Sequence, residues 1–450
     1  FETPEVIMTY SAEGFGKLSR NYHDAYRSNL IRSKYVEQPR PILVNNWEAT
    51  YFDFDADKLY HIAEEAKNIG LDMFVLDDGW FGKRSNDYTG LGDWVANKER
   101  LPFGIKGLAD RIEEMGMKFG LWFEPEMVNK DSDLYRAHPD WILHAPQRAS
   151  CHGRNQYVLD FSRKEVVDCI YDMMYKILSE SKISYIKWDM NRSITECYSV
   201  ALPADRQGEV FHRYILGVYN LYDRLTTAFP QILFESCASG GGRFDPGMLY
   251  YAPQGWISDD TDAAERVRIQ YGTSMCYPLS SMGSHVSVVP NHQVFRNTPL
   301  HTRANVAYFG TFGYELDLNK LTEEEIKEVK EQIVFMKEYR ELIQFGNFYR
   351  LKSPFDGNET VWMTVSEDKR KALVFWYRER NVVNAEFTRV RLQGLDPDLI
   401  YKNEYNGTEN YGDELMNLGL LTTDVTAGEP TNEDLPCTDY ESRIYVLTAE

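Results

Sequence analysis

The chain has 450 residues, with 69 acidic against 49 basic side chains, a formal net charge of −20 and a pI near 5.0. This balance argues against a nucleic-acid partner, because phosphate binding needs Lys and Arg to displace counterions, and against attraction to anionic membranes. The hydrophobic fraction is 43%, the charged fraction 26% and the mean hydropathy −0.48, with no apolar run near the ~20 residues of a membrane span, so an ordinary globular chain of two or three domains is expected.

The first residue is Phe1, and Glu5–Tyr10 reads as a strand already in mid-fold. A fragment or processed chain is therefore expected, with residues 1–20 the remnant of a preceding domain or linker. From there, short apolar segments alternate with amphipathic ones. Strands are expected at Ile42–Trp47, Met73–Asp78, Phe119–Glu124, Tyr185–Asp189, Ile232–Cys237 and Trp256–Asp259. Helices are expected between them at Ala56–Ile69, Gly107–Met115, Lys164–Ser179, Val210–Ala228 and Ala264–Met275. Further strands near Ser281–Ser287 and Gly313–Leu318 bring the count to eight, and Val158–Phe161 is a competing strand. Repeated strand–helix–strand units give parallel strands joined by crossovers, so residues 21–345 read as a (β/α)8 barrel.

Thr322 and Glu325 form a capping box ahead of a long helix reaching about Leu342. The pattern then shortens. Val361–Val365, Ala372–Tyr377, Arg389–Leu392, Ile400–Tyr401 and Arg443–Leu447 are separated by turns such as Asp356-Gly357 and Asn406-Gly407. Residues 346–450 read as a smaller antiparallel β-sandwich domain.

Aromatic residues make up 14% of the chain, with 30 Tyr, which suits sugar stacking and ordinary cores alike. The six cysteines, Cys151, Cys169, Cys197, Cys237, Cys276 and Cys437, show no CxxC spacing. Reduced thiols in a cytoplasmic compartment are expected, with no metal and no cofactor. No His-Glu-x-x-His occurs, and His285 and His292 are expected to fill ordinary polar roles. The Gly240–Gly242 run lacks any phosphate-loop context, so these glycines read as a sharp turn or a close backbone approach.

Chemistry concentrates at the strand ends. In a (β/α)8 barrel the site lies where the strands finish. Here they finish in Asp77 and Asp78; in Trp122, Glu124 and Glu126; in Lys187 and Asp189; in Glu235 and Cys237; and in Asp259, Asp260 and Asp262. One strand-end carboxylate is most often a helix cap, but five such ends together point to a site. Lys187 and Asp189 are two apart on a strand and share a face, so the cation is expected to keep Asp189 ionised, as a glycosidase nucleophile must be. A second carboxyl with a raised pKa would be the general acid. Asp259 can face Asp189 across the barrel mouth; Asp260 would point the other way. Spacing alone does not choose between them.

The segments NNWEATYFDF, VLDDGWFG, LGDW, GLWFEPEMV, HPDW, YIKWDMNR, FESCASGGGRFDPGMLYY, SDDTDAAER and SMGSHVS–VPNHQ resemble the successive motifs of glycoside hydrolase family 36 α-galactosidases, over about residues 1–320. The resemblance implies a retaining α-galactosidase that releases terminal α-linked galactose from raffinose- or melibiose-type oligosaccharides. It implies Asp189 as nucleophile and Asp259 as acid/base. It further implies a galactose pocket using Trp47, Asp77, Asp78, Trp122, Arg154, Lys187, Cys237 and Gly240. Family members carry an N-terminal β-sandwich domain ahead of the ETPEV segment and form homo-tetramers; with ETPEV at residues 2–6, that domain is expected to be missing from this chain. Two related activities share the same carboxylates, an α-N-acetylgalactosaminidase and a raffinose-synthase-like transglycosylase. A galactose-binding module with dead catalysis would need no opposed pair such as Asp189 and Asp259.

Overall fold

The computed structural model describes residues 5–383, 387–422 and 439–449. Eight parallel strands close into a barrel in strictly sequential order. They are β1 Leu43–Asn45, β2 Met73–Leu76, β3 Lys118–Phe123, β4 Tyr185–Trp188, β5 Leu233–Ser236, β6 Gln254–Trp256, β7 Met282–Ser287 and β8 Thr311–Glu315. All eight overlap an expected strand, but the sixth and eighth begin two residues earlier than expected, so Gln254–Trp256 meets the expected Trp256–Asp259 only at Trp256 and Thr311–Glu315 ends three residues before Leu318. Val158–Phe161 does not join the barrel; Tyr157–Val158 pairs antiparallel with Met127–Val128 in a small ribbon above it. The segment Glu5–Tyr10 carries no strand.

Helices form the outer layer. Ala56–Ile69 starts at Asp55, whose carboxylate accepts from Lys58 N, and stops at Gly70 in the left-handed region. Its Leu59, Ile62, Ala63 and Ala66 face the barrel at helical spacing and are buried. Glu323–Phe345 begins with the expected box, since Thr322 and Glu325 bond each other's backbone N–H.

Six antiparallel strands follow in the order β9-β10-β11-β14-β12-β13, with β9 Asn347–Lys352, β10 Glu359–Val365, β11 Lys371–Arg378, β12 Ile400–Asn403, β13 Glu409–Tyr411 and β14 Glu441–Ala449. Alternation decides both faces. Val361, Met363, Val374 and Trp376 pack with Val390, Leu415 and Leu420, where Arg389–Val390 and Leu420–Leu421 form a two-stranded ribbon. Trp362, Leu373 and Phe375 turn the other way into the barrel's core. There Phe309, between β7 and β8, meets Trp362 and Phe375 at centroid distances of 5.7 and 5.5 Å.

Cys151, Cys169, Cys197, Cys237 and Cys276 are free thiols, and Cys437 lies outside the described residues. Among the described residues no helix is long and apolar enough to cross a membrane.

Candidate active site

A cavity of about 210 Å³ opens at the C-terminal end of the barrel strands, room for one sugar ring. Trp47, Asp77, Asp78, Trp122, Arg154, Lys187, Asp189 and Asp259 line it, so eight of the ten residues expected from sequence meet in one place. Cys237 and Gly240 stand one layer behind the lining. Gly240 N points at Cys237 Sγ (3.4 Å), and the Gly240 backbone pairs antiparallel with Ser258, next to Asp259. Glu48, Asn191, Trp256, Thr261, His292, Gln293 and Glu315 complete the lining.

Asp77 is held by three donors. Its Oδ2 accepts from Lys187 Nζ at 2.9 Å and from Asn45 Nδ2 at 2.7 Å, and its Oδ1 accepts from Asp78 N at 2.9 Å. Burial works against the Lys187 ammonium, but Asp77, Glu315, Cys237 and Asp189 outweigh it, and its pKa stands well above the ordinary value. Asp78 is forked onto Arg84, with Nε to Oδ1 at 3.0 Å and Nη2 to Oδ2 at 2.8 Å. Burial raises the Asp78 carboxyl against the pull of that guanidinium.

Lys187 therefore pairs with Asp77, two strands away, and not with Asp189 as the shared strand face led us to expect. Asp189 takes its hydrogen bonds elsewhere. Its Oδ2 accepts from Asn191 Nδ2 at 2.8 Å and Trp122 Nε1 at 3.2 Å; its Oδ1 accepts from Met190 N at 2.8 Å and Ser239 N at 3.3 Å. Four N–H donors thus converge on this one carboxyl.

Asp259 is treated differently. Among the described residues it accepts one hydrogen bond, from Trp256 Nε1 at 3.1 Å. Burial first, and the like charge of Asp189 second, push its pKa up to about 6. Two carboxyls in one cavity thus have different environments, one ringed by donors and one held towards its protonated form by burial.

Arg154 sits on the rim with φ 48°, next to Asn155 at φ 61°. Two successive non-glycine residues in the left-handed region are strained, and such strain clusters where a side chain must be aimed. Trp47 stands at the rim, wedged edge-on against Tyr51 and Phe52 at centroid distances of 5.2 Å each.

The other strand-end acids are structural. Glu126 is fully buried and takes a forked pair from Arg243 at 2.8 and 2.7 Å. Glu235 accepts from Gln254 Nε2 at 2.7 Å. Asp262 caps the helix Ala263–Thr273, accepting from Glu265 N, and pairs with Arg296. Asp260 does not line the cavity; its Oδ1 accepts from Asp262 N at 3.0 Å.

The wall beside β1 and β8 escaped the sequence reading. Glu48 follows Trp47, accepts from Thr261 Oγ1 at 2.8 Å and lies 3.3 Å from His292 Nδ1. Burial, then Glu315, push its pKa up to about 8. Glu315 ends β8 and faces His285 Nδ1 at 3.1 Å.

Comparison with known proteins agrees with this architecture. Residues 1–346 match the Melibiase family, and residues 359–447 match the glycosyl hydrolase family 36 C-terminal domain. The chain is 54% identical over 420 residues to alpha-galactosidase AgaA of Geobacillus stearothermophilus, covering 93% of this chain and 58% of that protein. It is 53% identical to alpha-galactosidase Mel36A of Lactobacillus acidophilus, covering 93% of this chain and 57% of that protein. The chain therefore spans less than two thirds of the length of these relatives. A crystal structure of AgaA superposes with a TM-score of 0.94 at 51% identity, covering 98% of this chain and 60% of that one. Variants of AgaA have been solved in complex with raffinose and with stachyose; the latter superposes with a TM-score of 0.96, covering all of this chain and 61% of that one. The eight-stranded barrel, the β domain behind it and these matches together establish that the chain belongs to the Melibiase family, with a glycosyl hydrolase family 36 C-terminal domain.

Proposed function

We propose that this chain is the catalytic part of a retaining α-galactosidase, a barrel over 21–345 followed by a β domain over 346–450. Its two cavity acids differ in a way that fits this chemistry. Asp189 accepts four hydrogen bonds, whereas Asp259 accepts one and is pushed up to about 6 by burial.

In this reading Asp189 attacks the anomeric carbon as Asp259 gives its proton to the glycosidic oxygen. The C–O bond to the leaving sugar breaks and a galactosyl ester forms on Asp189. The ester removes the negative charge beside Asp259, which then acts as base. It takes a proton from water, the water oxygen attacks the anomeric carbon, and the ester bond breaks to release galactose. Asp77, Asp78 and Lys187 form the charged end that reads the sugar hydroxyls: ionised carboxylates accept, and the ammonium donates. A site built on such bonds discriminates strongly between epimers at one hydroxyl, because the wrong epimer leaves buried groups unpaired. Trp47 and Trp122 cover apolar sugar faces, and Arg154, Cys237 and Gly240 complete the pocket by direct contact or from behind. Raffinose- and melibiose-type sugars are the substrates, as the raffinose and stachyose complexes of the AgaA variants support.

The test uses a fluorinated galactoside with a good leaving group, which forms the ester quickly and hydrolyses it slowly. Mass spectrometry should find the label on Asp189, and Asp189→Ala should lose nearly all turnover while staying folded. Label on any other residue overturns the assignment. Hydrolysis of nitrophenyl α-N-acetylgalactosaminide in preference to the α-galactoside would overturn the substrate.

A further inference from the structure

The loop that carries Asp259 is fixed by a buried side chain that the mechanism leaves unused. Arg266, on the helix Ala263–Thr273, is 2% exposed. Its Nη2 donates to the Ser258 carbonyl at 2.6 Å and its Nε to the Asp260 carbonyl at 2.7 Å. The residues on both sides of Asp259 are therefore tied to one planar fork. The third arm, Nη1, donates to the Gly283 carbonyl on β7 at 3.1 Å, so the fork is anchored to the barrel wall. The guanidinium also lies over the Trp256 ring, 4.3 Å from its centroid. That indole is the group whose Nε1 donates to Asp259 Oδ1. One side chain thus holds the backbone around Asp259 and the ring that holds its carboxyl.

The arrangement is costly. All three hydrogen bonds of Arg266 end on carbonyl oxygens rather than on a carboxylate. Burial pulls its pKa down to about 10, against the attraction of Glu315, Asp260 and Asp259. An apolar residue of similar volume would fill this space without desolvating a charge. A rigid, multiply bonded cation in this place fits a requirement for fixed geometry at the group it surrounds.

We infer that Arg266 and Trp256 are positioning residues for proton transfer by Asp259: the guanidinium fork and the indole beneath it set where the Asp259 carboxyl stands relative to the glycosidic oxygen. This rests on reading Asp259 as the acid/base. A staple that merely joined β6 to β7 would affect all substrates alike. A positioning role affects those that need a proton on the leaving group.

The experiment measures kcat/KM for melibiose, whose leaving sugar needs protonation, and for dinitrophenyl α-galactoside, whose leaving group does not. Asp259→Ala is run beside Arg266→Lys and Trp256→Phe. Arg266→Lys cannot bridge three carbonyls; it should lower kcat/KM for melibiose about 10²-fold and for the aryl galactoside less than about 5-fold, the pattern of a misplaced acid. Azide should raise its turnover of the aryl substrate and yield the α-galactosyl azide. Trp256→Phe keeps an aromatic ring and removes one donor, so it reports even where Arg266→Lys does not fold. It should lower kcat/KM for melibiose about 10-fold. It should also move the alkaline limb of kcat/KM to higher pH, because a carboxylate that loses a donor binds its proton more tightly. Equal losses on both substrates, or unchanged values in both variants, overturn the inference. If Asp259→Ala shows the leaving-group pattern and the other two lose both substrates equally, this inference alone falls. If Asp259→Ala itself lacks the pattern, the acid/base reading falls and takes this inference with it.

Discussion

Lys187 Nζ stands 2.9 Å from Asp77 Oδ2, just past the end of a strand two places around the barrel, while Asp189 beyond the end of its own strand is bonded by Trp122, Asn191 and two backbone N–H groups. Both members of the Lys187–Asp77 pair are almost fully buried. The ammonium thus belongs to the Asp77 end of the cavity and reaches Asp189 only through the field.

Breaking this pair should cost stability as well as activity. Lys187→Met strands a buried Asp77 carboxylate, and removing one partner of a buried ion pair destabilises by roughly 3–5 kcal/mol. Adding Asp77→Asn removes the stranded charge, so the double variant should melt above Lys187→Met while remaining far less active than the wild type. Thermal unfolding of the single and double variants checks this. A double variant that melts lower still would mean the two side chains are not coupled.

Asp259 should govern the alkaline limb. With its pKa pushed up to about 6 by burial and then by Asp189, the protonated acid is lost as pH rises through that value. The kcat/KM for melibiose should therefore fall on the alkaline side of about pH 6. Glu315 also raises Asp259, so Glu315→Gln should move the limb to lower pH. A profile flat from acid to alkaline pH, or a limb moving upward in Glu315→Gln, would refute this.

Glu124 makes a stability prediction with a definite sign. It is fully buried; its Oε2 accepts from Gln156 Nε2 at 3.0 Å and its Oε1 accepts from Asn191 N. Burial, then Asp189, push its pKa up to about 8. The folded pKa lies above the unfolded one, so between about 4.5 and 8 the folded state keeps a proton that the unfolded chain has released. Stability is therefore full below that window and is lost as pH rises through it. Glu124→Gln removes the titration and keeps the shape. Gln156 Oε1 has no partner among the described residues, and turning that amide over would present it to the new NH2 group. The variant should melt above the wild type at pH 8, by an amount of the order of a few kcal/mol, with the advantage shrinking towards pH 5. An advantage equal at both pH values would show that Glu124 does not titrate there.

The barrel was legible because its first five strands are short apolar runs closing on polar residues, and the helices between carry one apolar stripe; the sixth to eighth, richer in Gly and polar residues, were placed less well. The shared face of Lys187 and Asp189 was legible from the two-residue period. What a local pattern does not contain is which side chain answers from another strand, so Asp77 as the partner of Lys187, and Arg84 as that of Asp78, were not. Glu48 was hidden because the first strand was read through to Trp47, whereas it ends at Asn45 and a four-residue helix follows. His292 and Gln293 lie in an irregular loop with no period to read. Glu315 was hidden because the eighth strand was read as Gly313–Leu318, whereas it is Thr311–Glu315 and ends on that carboxylate. In the C-terminal sheet, β14 inserts between β11 and β12, a long-range pairing that hairpin turns do not announce.

Gly240 packs against the backbone that carries Asp259. Its φ is 80°, and a Cβ added there would lie 2.6 Å from both Asp259 N and Ser258 Cα. Both are backbone atoms, so no flexible side chain can swing aside. The methyl group of Gly240→Ala would have to push the Ser258–Asp259 segment against the carbonyls that Arg266 holds, or move its own turn off the Cys237 thiol. Either shift displaces a carboxyl whose work depends on position, and a displacement of about 1 Å is enough for a loss of about 10²-fold in kcat/KM. Left-handed strain at a residue with a Cβ adds a modest loss of stability, of the order of 1 kcal/mol. Gly272 supplies the control. It lies in the helix Ala263–Thr273, and a Cβ there meets nothing within 4 Å. Gly272→Ala should leave kcat/KM unchanged and raise Tm slightly, since alanine is the better helix former. The comparison is read from kcat/KM on melibiose and from thermal unfolding of the two variants. Full activity in Gly240→Ala would show that the Asp259 loop tolerates displacement, and that its close packing serves the fold rather than the reaction.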